Sequence, residues 1–184
     1  MEAPHHHSLD IVPDEQREHH VPHNVMARLP AQGVTVFTVA DDASDTAQFS
    51  QRYGFGLEDC ANTLVLRYKR DGAEHHAAVV TLGSRRLDVN GAVKARLGAQ
   101  RLSFAKREQA VELTGMEFGG ITAFGVPPEW VVLVDAAVMA RERIVMGAGV
   151  RATKLLMAPA LLEQLPNVDI APLVFDEGAA GEAS

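Results

Sequence analysis

Cys60-Ala-Asn-Thr-Leu-Val-Leu-Arg-Tyr68, Asp71-Gly72 and Ala77-Ala-Val-Val-Thr-Leu82 decide the fold class. Two apolar, β-branched runs flank a dipeptide that favours a tight turn, which predicts an antiparallel hairpin. A second hairpin is expected where Arg143-Ile-Val-Met146 passes through Gly147-Ala-Gly149 to Lys154-Leu-Leu-Met157. Further strands are expected at Val34 to Val39, Arg101 to Phe104 and Val131 to Val134. Strands joined by hairpins argue against a doubly wound parallel fold. They predict a mixed α/β (α+β) domain: a mixed sheet or partial barrel with helices outside.

Helical segments fall between these strands. They are expected at Val25 to Leu29, on a face carrying Ala47, Phe49 and Tyr53, and on a face carrying Val89, Val93 and Leu97 behind an Asp88 cap. Another runs from Lys106 to Thr114 with Val111 and Leu113 inward, closed by Gly115. A short turn is expected at Ala136 to Met139, and a last helix starts at Pro159. Asp41, Asp42, Ser44 and Asp45 form a cluster of N-cap residues.

The chain has 184 residues, 47% of them hydrophobic and 22% charged, which suits one soluble domain. No apolar run approaches the roughly 20 residues of a membrane span. No apolar signal segment is read, so the cytoplasm is the expected location. Cys60 is the single cysteine, so no intrachain disulfide is expected. The net charge of −7 argues against generic nucleic-acid binding. Residues 85–154, however, hold eleven Lys/Arg against seven acids, a basic middle suited to one polyanionic end.

Residues 1–23 hold six of the eight histidines and read as a disordered tail. Their spacing gives no metal site, and neither metal nor cofactor is expected. Residues 24–172 form the expected domain, and 173–184 a loose C-terminal tail.

Between the fourth helix and Pro127 lies Gly115-Met-Glu-Phe-Gly-Gly-Ile-Thr-Ala-Phe-Gly-Val-Pro127. With Gly147-Ala148-Gly149 it makes two glycine loops at strand ends. Glycine lets a backbone approach a ligand closely, so the two loops suggest a pocket walled by N–H groups.

The ordered string Arg101-Leu-Ser-Phe-Ala105, Glu108, Leu113-Thr-Gly115, Gly119-Gly-Ile-Thr-Ala-Phe-Gly125, Val134-Asp135, Gly147-Ala-Gly149 and Leu155-Leu-Met-Ala-Pro159 resembles the YbaK/ProX-type aminoacyl-tRNA deacylases. That family includes the editing insertion of bacterial prolyl-tRNA synthetases. The resemblance runs from about Asp45 to Leu165. It implies a six- or seven-stranded mixed sheet ringed by helices. It also implies hydrolysis, in trans, of the ester on the acceptor end of mischarged tRNA, with a synthetase as a candidate partner. The family carries a Lys followed by Thr or Ser on one strand, where it holds the substrate. Asn62 stands at that position here. Three alternatives follow: activity persists with altered preference, Lys154 or Arg151 substitutes, or the fold serves as a weakened or inactive binding module.

The resemblance implies attack by water, helped by the terminal ribose hydroxyl, with no protein nucleophile. No G-x-S-x-G motif is present, and Cys60 reads as core. Oxyanion donors are expected from Gly119, Gly120, Gly147, Ala148 and Gly149, and from the Asn62 amide. Asp135, at a strand end, is a candidate acceptor for the aminoacyl ammonium or a water proton. Thr63 and Thr122 are candidates for hydrogen bonds to substrate. Arg85 and Arg101 are candidates for acceptor-end phosphates, and Phe124 for stacking on the terminal adenine.

Overall fold

The computed structural model describes residues 9–40 and 46–175. Nine strands among these residues form two sheets. They are β1 (Asp10–Ile11), β2 (Val34–Thr38), β3 (Ala61–Arg70), β4 (Ala73–Leu82), β5 (Arg101–Phe104), β6 (Val131–Asp135), β7 (Ile144–Gly147), β8 (Thr153–Met157) and β9 (Val168–Ala171). The larger sheet runs β5-β3-β4-β6-β9 and the smaller β1-β2-β8-β7. The helices are α1 (His23–Met26), α2 (Thr46–Tyr53), α3 (Lys94–Leu97), α4 (Arg107–Thr114) and α5 (Ala136–Met139).

Both expected hairpins are present. β3 and β4 pair antiparallel from Ala61 opposite Leu82 to Arg70 opposite Ala73, and Asp71 and Gly72 turn with positive φ. β7 and β8 pair antiparallel, with Gly147 opposite Lys154. The larger sheet is mixed, because β4–β6 and β6–β9 are parallel. A bridge from Cys60 to Val145 ties the two sheets together.

Alternation along the strands sorts side chains into three cores, since successive residues point to opposite faces. Between the sheets lie Val34, Val36, Val65, Ala78, Val80, Val132, Val134, Ile144, Met146 and Leu155. The outer face of the smaller sheet buries Phe37, Cys60 and Val145 under Phe49 and Tyr53 of α2. The outer face of the larger sheet buries Leu66, Tyr68, Val79 and Leu133 under Val93 and Leu97.

Several expectations change. The mixed α/β class holds, but the strands form two sheets, because β2, β8 and β7 pair with none of β5, β3, β4 and β6; each sheet gains one strand the sequence leaves unassigned, β1 or β9. From residue 9 the N-terminal segment is packed rather than loose. Val12, Val21 and Val25 enter the central core, the Val12 amide donates to the Val36 carbonyl at 2.8 Å, and residues 14–19 make a 3-10 turn. Three spaced valines offered too little periodicity to read. At the other end Leu173 is fully buried, and Val174 bridges to Leu87. Ala47 and Leu113 are exposed, because α2 and α4 each show the core a narrower face. Residues 1–8, 41–45 and 176–184, with the first histidine run and the N-cap cluster, lie outside the described residues.

Candidate active site

Asn62 is the second residue of β3, opposite Thr81, and faces away from the central core. With Phe49, Cys60, Met146, Gly147 and Lys154 it lines a cleft at the junction of the two sheets. The cleft has a volume of about 20 Å³, room for a single water. Lys154 enters from β8. It is 8% exposed, next to an otherwise apolar run, and directly across the ladder from Gly147.

Cys60 sits in the wall. Burial pushes its thiol up to about 12, Asp59 and Glu58 add to the rise, and the Lys154 charge works against it. The Sγ donates to the Gly56 carbonyl at 3.4 Å. A thiol held protonated is no nucleophile at neutral pH, which agrees with the core reading.

The two glycine loops meet as expected, but they meet each other. The Gly149 amide donates to the Gly120 carbonyl at 2.7 Å, and the Gly120 amide donates to the Glu117 carbonyl at 2.9 Å. The close approach leaves no room for side chains. A Cβ on Gly120 would lie 2.5 Å from the Val150 carbonyl carbon, and one on Gly147 2.7 Å from the Gly120 oxygen. Two expected oxyanion donors, Gly120 and Gly149, are therefore occupied by the loops' own bonds. The amides of Gly119 and Ala148 make no main-chain hydrogen bond among the described residues.

The other candidates fall in separate places. Thr122, Phe124 and Ala148 are wholly buried in the central core, and Thr63 faces the same core. The hydroxyls of Thr63 and Thr122 are buried with no partner among the described residues. Phe124 is thus no platform for a base; it packs against other core side chains.

Asp135 lies on the outer face of the larger sheet, in one row with Asn62 and Thr81. Two strand spacings put it about 10 Å from Asn62. Its Oδ1 accepts the Leu173 amide at 2.8 Å, so its carboxylate pins the C-terminal segment. It does not stand open beside the glycine loops, as its strand-end position suggests.

The two arginines also separate. Arg85 follows β4, whose end lies opposite Ala61, and lines a recess of about 450 Å³ with Glu58, Ser84 and Arg141. Arg101 pairs with Lys69, seven residues along β3 from Asn62 and so about 23 Å away. It lines an open groove of about 570 Å³ with Arg67, Lys69, Glu74 and Lys94. His75 and His76 are half-buried, stacked on Tyr68 and Trp130. Phe49 and Met146, which line the cleft, escape a motif reading because both look like ordinary core. Lys154 carries a legible signal: one charge between a buried Thr and an apolar run, beside a glycine loop.

No helix among the described residues is long and apolar enough to cross a membrane. No cluster of three or more metal-ligating side chains is found among them.

Residues 40–165 match the family described as aminoacyl-tRNA editing domain. The chain belongs to that family, which acts on mischarged aminoacyl-tRNA. A curated relative, the multifunctional Ser/Thr-tRNA deacylase ProXp-y of Escherichia coli K12, is 26% identical over 127 residues, 68% of this chain and 75% of the relative. Among solved structures, a candidate trans-editing enzyme for prolyl tRNA synthetase superposes with a TM-score of 0.72 at 20% identity. That match covers 90% of this chain and 99% of the other. The hypothetical protein APE2540 gives a TM-score of 0.70 at 25% identity, covering 82% and 95%.

Proposed function

We propose that this chain hydrolyses, in trans, the ester that joins a wrong amino acid to the acceptor end of tRNA, and that the cleft between β3 and β7 is where it does so. The observation that carries this reading is the meeting of Asn62, Gly147 and Lys154 around a one-water space, in a chain of the editing family.

The chemistry needs few groups. Water attacks the ester carbonyl carbon, and the C=O π pair moves onto the oxygen. The tetrahedral intermediate then expels the ribose oxygen, which takes a proton, leaving a free amino acid and intact tRNA. The Asn62 amide is a donor for the developing oxyanion, fixed on a strand and costing no reorganisation. The loop amides of Gly119 and Ala148 are the further donors. Arg85 beside the cleft suits the terminal phosphates. The groove of Lys69, Lys94 and Arg101, about 23 Å away, suits the acceptor stem.

Deacylation of a panel of mischarged tRNAs tests this, with Ser- and Thr-charged species first because the curated relative's name specifies them. Release above the uncatalysed rate is expected for at least one. The presence of Asn62 supports a second reading, a binding module with catalysis lost. Hydrolysis that appears only after Asn62→Lys decides for it.

A further inference from the structure

We infer that Lys154 is the cation of the ester site: its ammonium stabilises the negative charge that develops on the substrate carbonyl oxygen, the charge Asn62 cannot balance. This rests on the hydrolytic reading above.

Four observations converge. First, the strand position expected to carry a Lys carries Asn62, which offers neutral donors only, and a hydrogen bond from a charged donor is about twice as strong. Second, Lys154 lines the same cleft as Asn62, from the opposite sheet. Third, it is 8% exposed between Thr153, which faces the core, and Leu155-Leu156-Met157. A buried ammonium is costly to a fold unless it is paired or hydrogen-bonded, and this one lines the cleft. Fourth, its neighbour across the β7–β8 ladder is Gly147, which has no side chain to stand between the ammonium and the cleft. The Cys60 thiol, in the same wall, feels the Lys154 charge.

The charge has therefore moved between strands while the space it serves has stayed in place. A cation entering from β8 reaches the same small volume as one entering from β3. Asp59 and Glu58 stand close enough to act on Cys60 as well, so the competing role for Lys154 is that of a structural counter-charge to them.

The test uses the full chain and whichever mischarged tRNA it hydrolyses. Lys154→Met is expected to lower kcat by about 10²–10³-fold, the range for loss of one oxyanion donor, with KM changed little. Lys154→Arg is expected to keep more activity than Lys154→Met. The decisive variant is Asn62→Lys combined with Lys154→Met, which returns the charge from β3 and is expected to restore most of kcat. Thermal melting of each variant separates folding from chemistry.

Unchanged kcat in Lys154→Met overturns the assignment while leaving the hydrolytic reading intact. A rise in KM with kcat preserved also overturns it, because the cation would then hold the tRNA. A loss of kcat with a large fall in Tm and no rescue by Asn62→Lys assigns Lys154 to structure instead. If the unaltered chain hydrolyses no mischarged tRNA and Asn62→Lys creates activity, both this inference and the hydrolytic reading fall.

Discussion

The Gly120 carbonyl accepts the Gly149 amide hydrogen at 2.7 Å, which locks two loops separated by a strand, a helix and a further strand into one unit. Glycine is needed here for space. Gly120 has no unusual φ, yet a Cβ on it would meet three backbone atoms of Val150 within 2.8 Å. Gly120→Ala is therefore expected to destabilise the fold by about 1–3 kcal/mol, the usual cost of overpacking. Gly115 is the opposite case, with φ of 69° and nothing within 4 Å of an added Cβ. Gly115→Ala is expected to cost about 1–2 kcal/mol through backbone strain alone. Denaturant unfolding measures both, and only Gly120→Ala is expected to lower activity at temperatures where the protein stays folded.

Cys60 gives a prediction in alkali. Its folded thiol is raised from 9.0 to about 12, so between those values the unfolded chain loses a proton that the folded chain keeps. Stability falls with rising pH wherever the folded state binds more protons. Unfolding free energy is expected to drop from about pH 9 to about pH 12, and Cys60→Ala to flatten that drop. Alkylation of Cys60 at neutral pH is expected only on unfolding, and Cys60→Ala to keep its hydrolytic activity.

His76 gives the converse in acid. Burial lowers its ring below 6.5, against the pull of Glu74, and the ring stacks on Trp130 with centroids 5.5 Å apart. Here the unfolded chain binds the proton first, so stability is complete above 6.5 and is lost as the pH falls through the lowered value. Trp130 is the single tryptophan, so its fluorescence reports the site directly. A fluorescence titration with its midpoint below 6.5 is expected, and His76→Phe is expected to abolish it.

The groove cations give a prediction about RNA. Among the described residues, no carboxylate lies within 4 Å of the charged groups of Lys69, Lys94 or Arg101. Lys94→Glu with Arg101→Glu is expected to raise KM for aminoacyl-tRNA and leave kcat near its original value. The dependence of log binding on log salt is expected to flatten by roughly one unit for each phosphate that the variant no longer neutralises. An unchanged KM and salt slope would remove the groove from the tRNA path.

Much of this was legible in the chain, and what was not has physical causes. The hairpins were readable because turn chemistry and alternation act over a few residues, as at Asp71-Gly72. The family string was readable because glycines that touch backbone tolerate no replacement, as at Gly120 and Gly147. β9 was hidden because Val168-Asp-Ile-Ala171 makes sense only as a parallel partner of β6, at long range. The direction of Asp135 depended on Leu173, which the sequence assigns to a tail. Phe124 and Thr122 lie on the motif itself, but spacing does not reveal which side of a loop is the core.

The N-terminal segment holds both glycine loops from outside. The Asn24 amide donates to the carbonyls of Thr114 and Gly125 at 3.0 Å, the Thr153 hydroxyl donates to the His20 carbonyl at 2.9 Å, and Pro22 and Val25 close over Gly149. β2, whose neighbours are β1 and β8, also precedes residue 40, where the family match begins. The packed chain is described from residue 9, roughly thirty residues before the family match begins at residue 40. A fragment cut at residue 40 would lose two strands of the smaller sheet, β1 and β2, and the clasp over its own glycine loops. The packing of the two glycine loops thus depends on chain that lies outside the matched residues 40–165.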